Sequence, residues 1–301
     1  MATINELPSA ADLCQAVYSN LQVGAISYRQ LLDKANSDPN MTELQAQDIA
    51  SRYEVVKVFS DTNTGTNTGA YAAIFKDKLT GQRILAIRGT DGTSDWLNAN
   101  LHLAIGIPPA LNPQFNALRS IIAQWIQSGD LPAGSNIAGH SLGGYLAAAL
   151  KADSPSTFNS TFTFNAPGIA APLGPLPAVL QLIFGMPVSQ AGVVDVRGSA
   201  GLSLIAGLGN HLGSLNPVDI ESAGDGDPDN HSISRLAQSL AVLRQFQISG
   251  SPPKYDLDEA NHRIVVGADP GHAIRRDNSF VSDASRITRL ASNARAFVCA
   301  A

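Results

Sequence analysis

The sequence predicts an α/β fold, a mostly parallel central sheet with helices on both faces, and three observations predict it. Short strand-like apolar runs alternate with helix-period stretches along most of the 301 residues. At the middle of the chain, Gly139-His140-Ser141-Leu142-Gly143-Gly144 joins the strand-like Asn136-Ile137-Ala138 to an alanine-rich, helix-like run over 145–151. Hydrophobic residues make up 44% and charged ones only 15%, the balance of a chain that buries a full core.

The elements follow in order. Leu13, Ala16, Val17 and Leu21 recur at helical spacing over 10–22, and 28–35 and 42–53 read the same way. Residues 1–52 are therefore expected to be a helical segment packed on the core. The period then changes to a strand over 53–59, followed by a Thr/Asn/Gly tract that reads as a solvated loop. A hairpin pairs 70–75 with 83–88 across 77–82, and its second strand ends in the polar turn Arg88-Gly89-Thr90 before Asp95-Trp96-Leu97-Asn98. A helix over 113–128 carries Phe115, Leu118, Ile121, Ile122, Trp125 and Ile126 on one broad face. After the glycine-flanked serine, Thr161-Phe162-Thr163-Phe164 is a strand that leaves into Asn165-Ala166-Pro167-Gly168, with further strands over 192–197 and 217–221. Ile233, Leu236, Leu240, Leu243 and Phe246 mark a helix over 232–246. Beyond it, a short strand over 263–266 and a helix over 282–298 carry no motif. The expected organisation is one core domain over 53–250, with 251–301 as its C-terminal extension.

Composition excludes several partners. A net charge of −5 gives no basic footprint for nucleic acid or an anionic membrane surface. The most apolar stretch, 176–194, is broken by Pro177, Gly185 and Pro187, so no transmembrane segment is expected. Residues 1–8 show neither a basic n-region nor an apolar h-region, which reads as a cytoplasmic protein, a mature form, or one secreted by a non-standard route. Cys14 and Cys299 read as two separate thiols, with a single bridge as the alternative. The run Asp225-Gly226-Asp227-Pro228-Asp229 reads as a hydrophilic turn, with calcium ligation the alternative. No cofactor and no metal are expected.

The chemistry centres on Ser141. A serine flanked by glycines two positions away on each side, at a strand-to-helix corner, is held in a strained turn that lifts its hydroxyl clear of the sheet. A Cβ at 139 or 143 would collide with the neighbouring strand or helix. The helix N-terminus behind the serine makes the Leu142 N–H a donor to developing negative charge. A serine hydroxyl needs a base, and the base needs a third group to orient it. Of six histidines, His231 follows the last sheet strand and opens a helix, the place for a base in the order serine, acid, histidine. His211 is its rival, and His140 reads as structural. Asp195 is the carboxylate on the strand after Phe164, with Asp219, Glu221 and Asp229 as alternatives.

Four stretches carry a resemblance: Ile87-Arg88-Gly89-Thr90 with Asp95-Trp96-Leu97, Gly139 to Gly144, Phe164-Asn165-Ala166-Pro167-Gly168, and Asn230-His231-Ser232-Ile233. In these motifs the chain resembles the class 3, or fungal-type, lipases of the α/β-hydrolase fold, and in particular their bacterial lipase and phospholipase A1 relatives, over about residues 53–246. The resemblance implies a serine hydrolase that cleaves carboxylic esters of lipids, as a triacylglycerol lipase or phospholipase A1, through an acyl-enzyme formed by Ser141, His231 and Asp195. It implies Thr90 as the second oxyanion donor and Trp96 and Leu97 as substrate-binding residues at the start of a lid. The substrate it implies is a lipid ester, met at a lipid–water interface. A soluble carboxylesterase or polyesterase, and a catalytically degenerate binding protein of the same fold, are the alternatives. The chain departs from the family pattern at the acid, which should lie just past the strand, where Ser199, Ala200 and Ser203 stand instead.

Overall fold

The computed structural model describes residues 6–32, 41–61, 68–90, 109–169, 192–198, 209, 211–218, 220 and 231–248, with 264–265, 274–276 and 279–281. Helix α1 (Glu6–Ala16) is buried along most of its length. It starts before residue 10 because Pro8 falls in the first turn, where a missing N–H is tolerated. Past Ala16 the chain tightens into turns, with Tyr18 N–H bonded to Gln15 O and Ser19 N–H to Ala16 O, and these turn Tyr18 inward. Strand β1 (Gly24–Ala25) and helix α2 (Tyr28–Leu32) follow. Helix α3 (Glu43–Arg52) opens with a reciprocal cap between Thr42 and Gln45.

Strands β2 (Tyr53–Ser60), β3 (Tyr71–Asp77) and β4 (Arg83–Ile87) form the antiparallel part of the sheet. Helix α4 (Pro113–Gln127) begins at Asn112, whose side chain accepts the N–H groups of Gln114 and Phe115, and buries Phe115, Leu118, Ile122 and Trp125. Strand β5 (Ser135–His140), helix α5 (Leu142–Asp153), and strands β6 (Phe158–Phe164), β7 (Val193–Gly198) and β8 (Ser214–Val218) continue the chain to helix α6 (Ile233–Ile248). The eight strands lie in sequence order, and β4 to β8 are parallel. Three short strands, β9 (Ile264–Val265), β10 (Ile274–Arg276) and β11 (Ser279–Val281), pair antiparallel in a separate sheet.

Strand alternation sorts the core into two layers. Ala138, Phe162, Phe164 and Val196 face α1 and α6, where they meet Leu13, Val17, Ile233 and Leu236. Ile137, Leu85, Ile87 and Val193 face the other way, against Phe115 and Trp125 of α4 and Tyr145 and Leu146 of α5. Strand β8 lies three residues earlier than the expected 217–221. Pro217 sits inside it opposite Arg197, a position tolerated because β8 is the last strand in the sheet order. Among the described residues no helix is long and apolar enough to cross a membrane. Cys14 is buried, and burial raises its thiol pKa. Outside the described residues lie 62–67 of the Thr/Asn/Gly tract, Trp96 and Leu97 with the remainder of 91–108, the apolar run 176–191, Asp219, Glu221, residues 225–229, the expected helix over 282–298, and Cys299.

Candidate active site

The corner between β5 and α5 has no room for side chains on either side of the serine. A Cβ on Gly139 would fall on the Gly143 carbonyl, and one on Gly143 on the carbonyl of Ile87. On Gly144 it would come 2.5 Å from Cβ of Ala166. The three glycines thus let β5 run directly into α5 between β4 and β6. Ser141 takes the strain, with φ 56° and ψ −128°, a region that L-residues seldom occupy. Its N–H is tied to Phe164 O at 2.9 Å, and its carbonyl accepts the Gly144 N–H at 2.9 Å. The Ser141 hydroxyl is buried and makes no hydrogen bond among the described residues. Leu142 is the first residue of α5, so its N–H belongs to the turn that has no intrahelical acceptor. Thr90, three residues past Ile87 of the β4–β5 ladder pair Ile87–Gly139, also holds a buried hydroxyl without a hydrogen bond among the described residues. Gly89 packs so closely there that an added Cβ would lie 3.1 Å from Cβ of Ser141.

His231 is brought to this corner through its backbone. Its carbonyl oxygen lies 2.8 Å from His140 Nε2 and accepts the Asn165 Nδ2–H at 3.1 Å. The two imidazole rings are 4.9 Å apart between centroids. Burial pushes the His231 pKa well down, and the neighbouring His140 adds to the effect, so the ring is neutral near pH 7 and carries a basic lone pair. Asn165 is itself at φ 44° and accepts the Gly198 N–H at 2.9 Å, so one amide ties the His231 backbone to the end of β7.

Asp195, expected to orient His231, has other partners. Its carboxylate accepts from Thr163 Oγ1 at 2.9 Å, from Arg197 at 2.8 and 3.1 Å, and meets His211 Nδ1 at 3.0 Å. Burial opposes its ionisation, but the bonds and charges of His211 and Arg197 outweigh burial and hold its pKa below the usual value. The register sets Asp195 apart from Ser141. Asp195 pairs with Thr163 and Thr163 with Gly139, whereas His140 pairs with Phe164, one residue on and facing the opposite layer. Two strand spacings of about 4.8 Å and two residue rises of about 3.3 Å put the Asp195 and Ser141 Cα atoms about 12 Å apart. Among the described residues no group of three or more His, Cys, Asp or Glu side chains could hold a metal ion.

Asn165 and Tyr18 join the site without having been candidates for it. Asn165 belongs to the strand exit 164–168, a stretch that carries the family resemblance but marks no residue of its own as functional. Tyr18 carries no pattern that separates it from an ordinary core tyrosine.

A mostly parallel sheet whose middle strand turns through a strained, glycine-flanked serine into a helix, with a buried histidine delivered from beyond the sheet's last strand, defines an α/β-hydrolase. Residues 9–173, more than half of the chain, match the model of the phospholipase-like family described as the Tle-like phospholipase domain. The chain belongs to that family, and is a lipase-like carboxylic ester hydrolase. Solved structures of lipases are similar to the chain. One described as a fungal lipase is 17% identical, with 73% of this chain and 82% of that one covered at a TM-score of 0.51. The Lip2 lipase of Yarrowia lipolytica is 18% identical, with 72% and 80% covered and a TM-score of 0.44. A triacylglycerol lipase of Penicillium expansum is 14% identical, with 72% and 79% covered and a TM-score of 0.43. No curated protein sequence matches the chain.

Proposed function

We propose that the protein hydrolyses the acyl esters of lipids through an acyl-serine intermediate, with phospholipids as the preferred class. The placement of His231 against the residue that precedes Ser141 carries the reading of the mechanism, and family membership supports the choice of substrate. Ser141 Oγ attacks the ester carbonyl while its proton passes to His231 Nε2. The oxyanion is met by the Leu142 N–H and by the N–H and hydroxyl of Thr90, each backbone donor contributing about 3 to 4 kcal/mol to the transition state. The tetrahedral intermediate collapses, the alcohol leaves with the proton from His231, and water hydrolyses the acyl-enzyme by the same steps in reverse order.

The acid that orients His231 is one of Asp219, Glu221 and Asp229, since Asp195 is held elsewhere by Thr163, Arg197 and His211. Trp96 and Leu97 begin the wall that receives the acyl chain, where burial is worth about 0.8 kcal/mol per methylene. Hydrolysis of phosphatidylcholine, long-chain triacylglycerol and tributyrin by the intact protein and by Ser141→Ala tests the reading. The expected order is phosphatidylcholine first, with all three activities lost in the variant. Activity confined to the soluble short-chain ester would contradict a lipid substrate.

A further inference from the structure

The turn after α1 places a phenol between two parts of the site. Tyr18 Oη lies 3.0 Å from His140 Nδ1 and accepts the Gly89 N–H at 3.1 Å. His140 Nε2 faces the His231 carbonyl oxygen at 2.8 Å. An oxygen of that kind only accepts, so Nε2 must carry the proton. Burial pushes the His140 pKa down to about 4, opposed only by that backbone bond, so near pH 7 the ring is neutral and Nδ1 bears the lone pair. The Tyr18 hydroxyl must then donate to Nδ1, which leaves its oxygen to accept from Gly89. Every bond in the chain points one way, from Gly89 N–H to Tyr18, from Tyr18 to His140, and from His140 to the backbone of His231. Bonds aligned in series polarise one another. At one end stands the residue before Thr90, and at the other the residue read as the base. In the middle, His140 adjoins Ser141.

We propose that Tyr18 is a positioning residue for catalysis, which through His140 fixes both the approach of the Gly89–Thr90 backbone and the placement of the His231 backbone around Ser141. This inference rests on the reading of Ser141 and His231 as nucleophile and base. The contact at Gly89 is tight: a Cβ there would lie 2.5 Å from Tyr18 Oη and 2.7 Å from His140 O. The segment before the sheet therefore supplies a part of the site, and does more than cover a face. Tyr18 touches no reacting atom, so its loss should leave substrate binding alone and loosen the geometry that only the transition state uses.

The test compares Tyr18→Phe with the intact chain for kcat and KM on a monomeric ester and for the rate of phosphonylation by a fluorophosphonate. Loss of the hydroxyl is expected to lower kcat and the phosphonylation rate together by about ten- to a hundredfold, the range for a small misplacement of reacting groups, with KM within about twofold. Rates within about twofold of the intact chain, or a change confined to KM, would overturn the proposal. Two further variants guard against a fold defect at Tyr18. His140→Gln keeps a donor for the His231 carbonyl and an acceptor for Tyr18, whereas His140→Leu keeps neither. The glutamine variant is expected to retain at least about tenfold more kcat than the leucine variant, and equal rates would overturn the proposal. Ser141→Ala separates the two readings: if it keeps activity, the nucleophile assignment fails, and if it is inactive while Tyr18→Phe is normal, only the present inference fails.

Discussion

His211 Nδ1 lies 3.0 Å from Asp195 Oδ2, and the carboxylate is also held by Arg197 and Thr163 on the face of the sheet turned away from His140. This is a buried ionic cluster between β7 and the approach to β8, and its partners account for the whole of the Asp195 carboxylate. Asp195→Asn is expected to lower stability by about 3 kcal/mol, because one partner of a buried ion pair loses its counter-charge. The kcat of the folded fraction should stay within about tenfold of normal. Urea unfolding alongside single-ester kinetics checks both, and a fall of several orders of magnitude in kcat at unchanged stability would place Asp195 in the triad.

Gly143→Ala should abolish the site. Its Cβ would be driven onto the Ile87 carbonyl and within 2.9 Å of the Arg88 backbone, and neither can yield as a flexible side chain would. Strand β4 and helix α5 would have to separate, which moves Thr90 away from Leu142. We expect kcat/KM to fall by at least about a hundredfold, with a lowered Tm. A variant with near-normal turnover and Tm would show that the corner tolerates a methyl group.

Stability should fall on mild acidification because of the two buried imidazoles. Burial holds His140 at about 4 in the folded chain and His231 well below its usual value, whereas the unfolded imidazole titrates near 6.5. Between those values the unfolded state binds more protons, so the stabilisation is full above about pH 6.5 and is lost as pH falls towards 4. His140 alone should account for a loss of about 2 kcal/mol between pH 7 and pH 5. Urea midpoints measured across that range check it. His140→Gln should flatten the dependence, and an unchanged slope in that variant would remove His140 as its source.

The sheet was legible in the sequence because its buried strands are short apolar runs between turn residues. The paired hairpin of β3 and β4 and the corner at Ser141 stand where composition and glycine spacing put them. β8 was misplaced because Pro217 reads as the start of a strand, and only its place at the end of the sheet order lets it sit inside one. At the site, Ser141 and His231 each carry a local signature, a glycine-flanked serine and a histidine that opens a helix. Asp195 looked suitable by order along the chain. Which layer its side chain enters depends on the β6–β7 register, and a shift of one residue inverts that answer. Tyr18 was invisible for a related reason: its partners lie 71 and 122 residues away, and no periodicity encodes them.

In the proposed mechanism Ser141 is activated by His231. Phosphonylation by a fluorophosphonate, followed by mass spectrometry of the peptide that spans the β5–α5 corner, tests it most directly. A single adduct on Ser141 is expected, absent in Ser141→Ala, slowed by at least about a thousandfold in His231→Ala and by less than about tenfold in His211→Ala. Labelling that persists in Ser141→Ala, or that depends on His211 and not on His231, would contradict it.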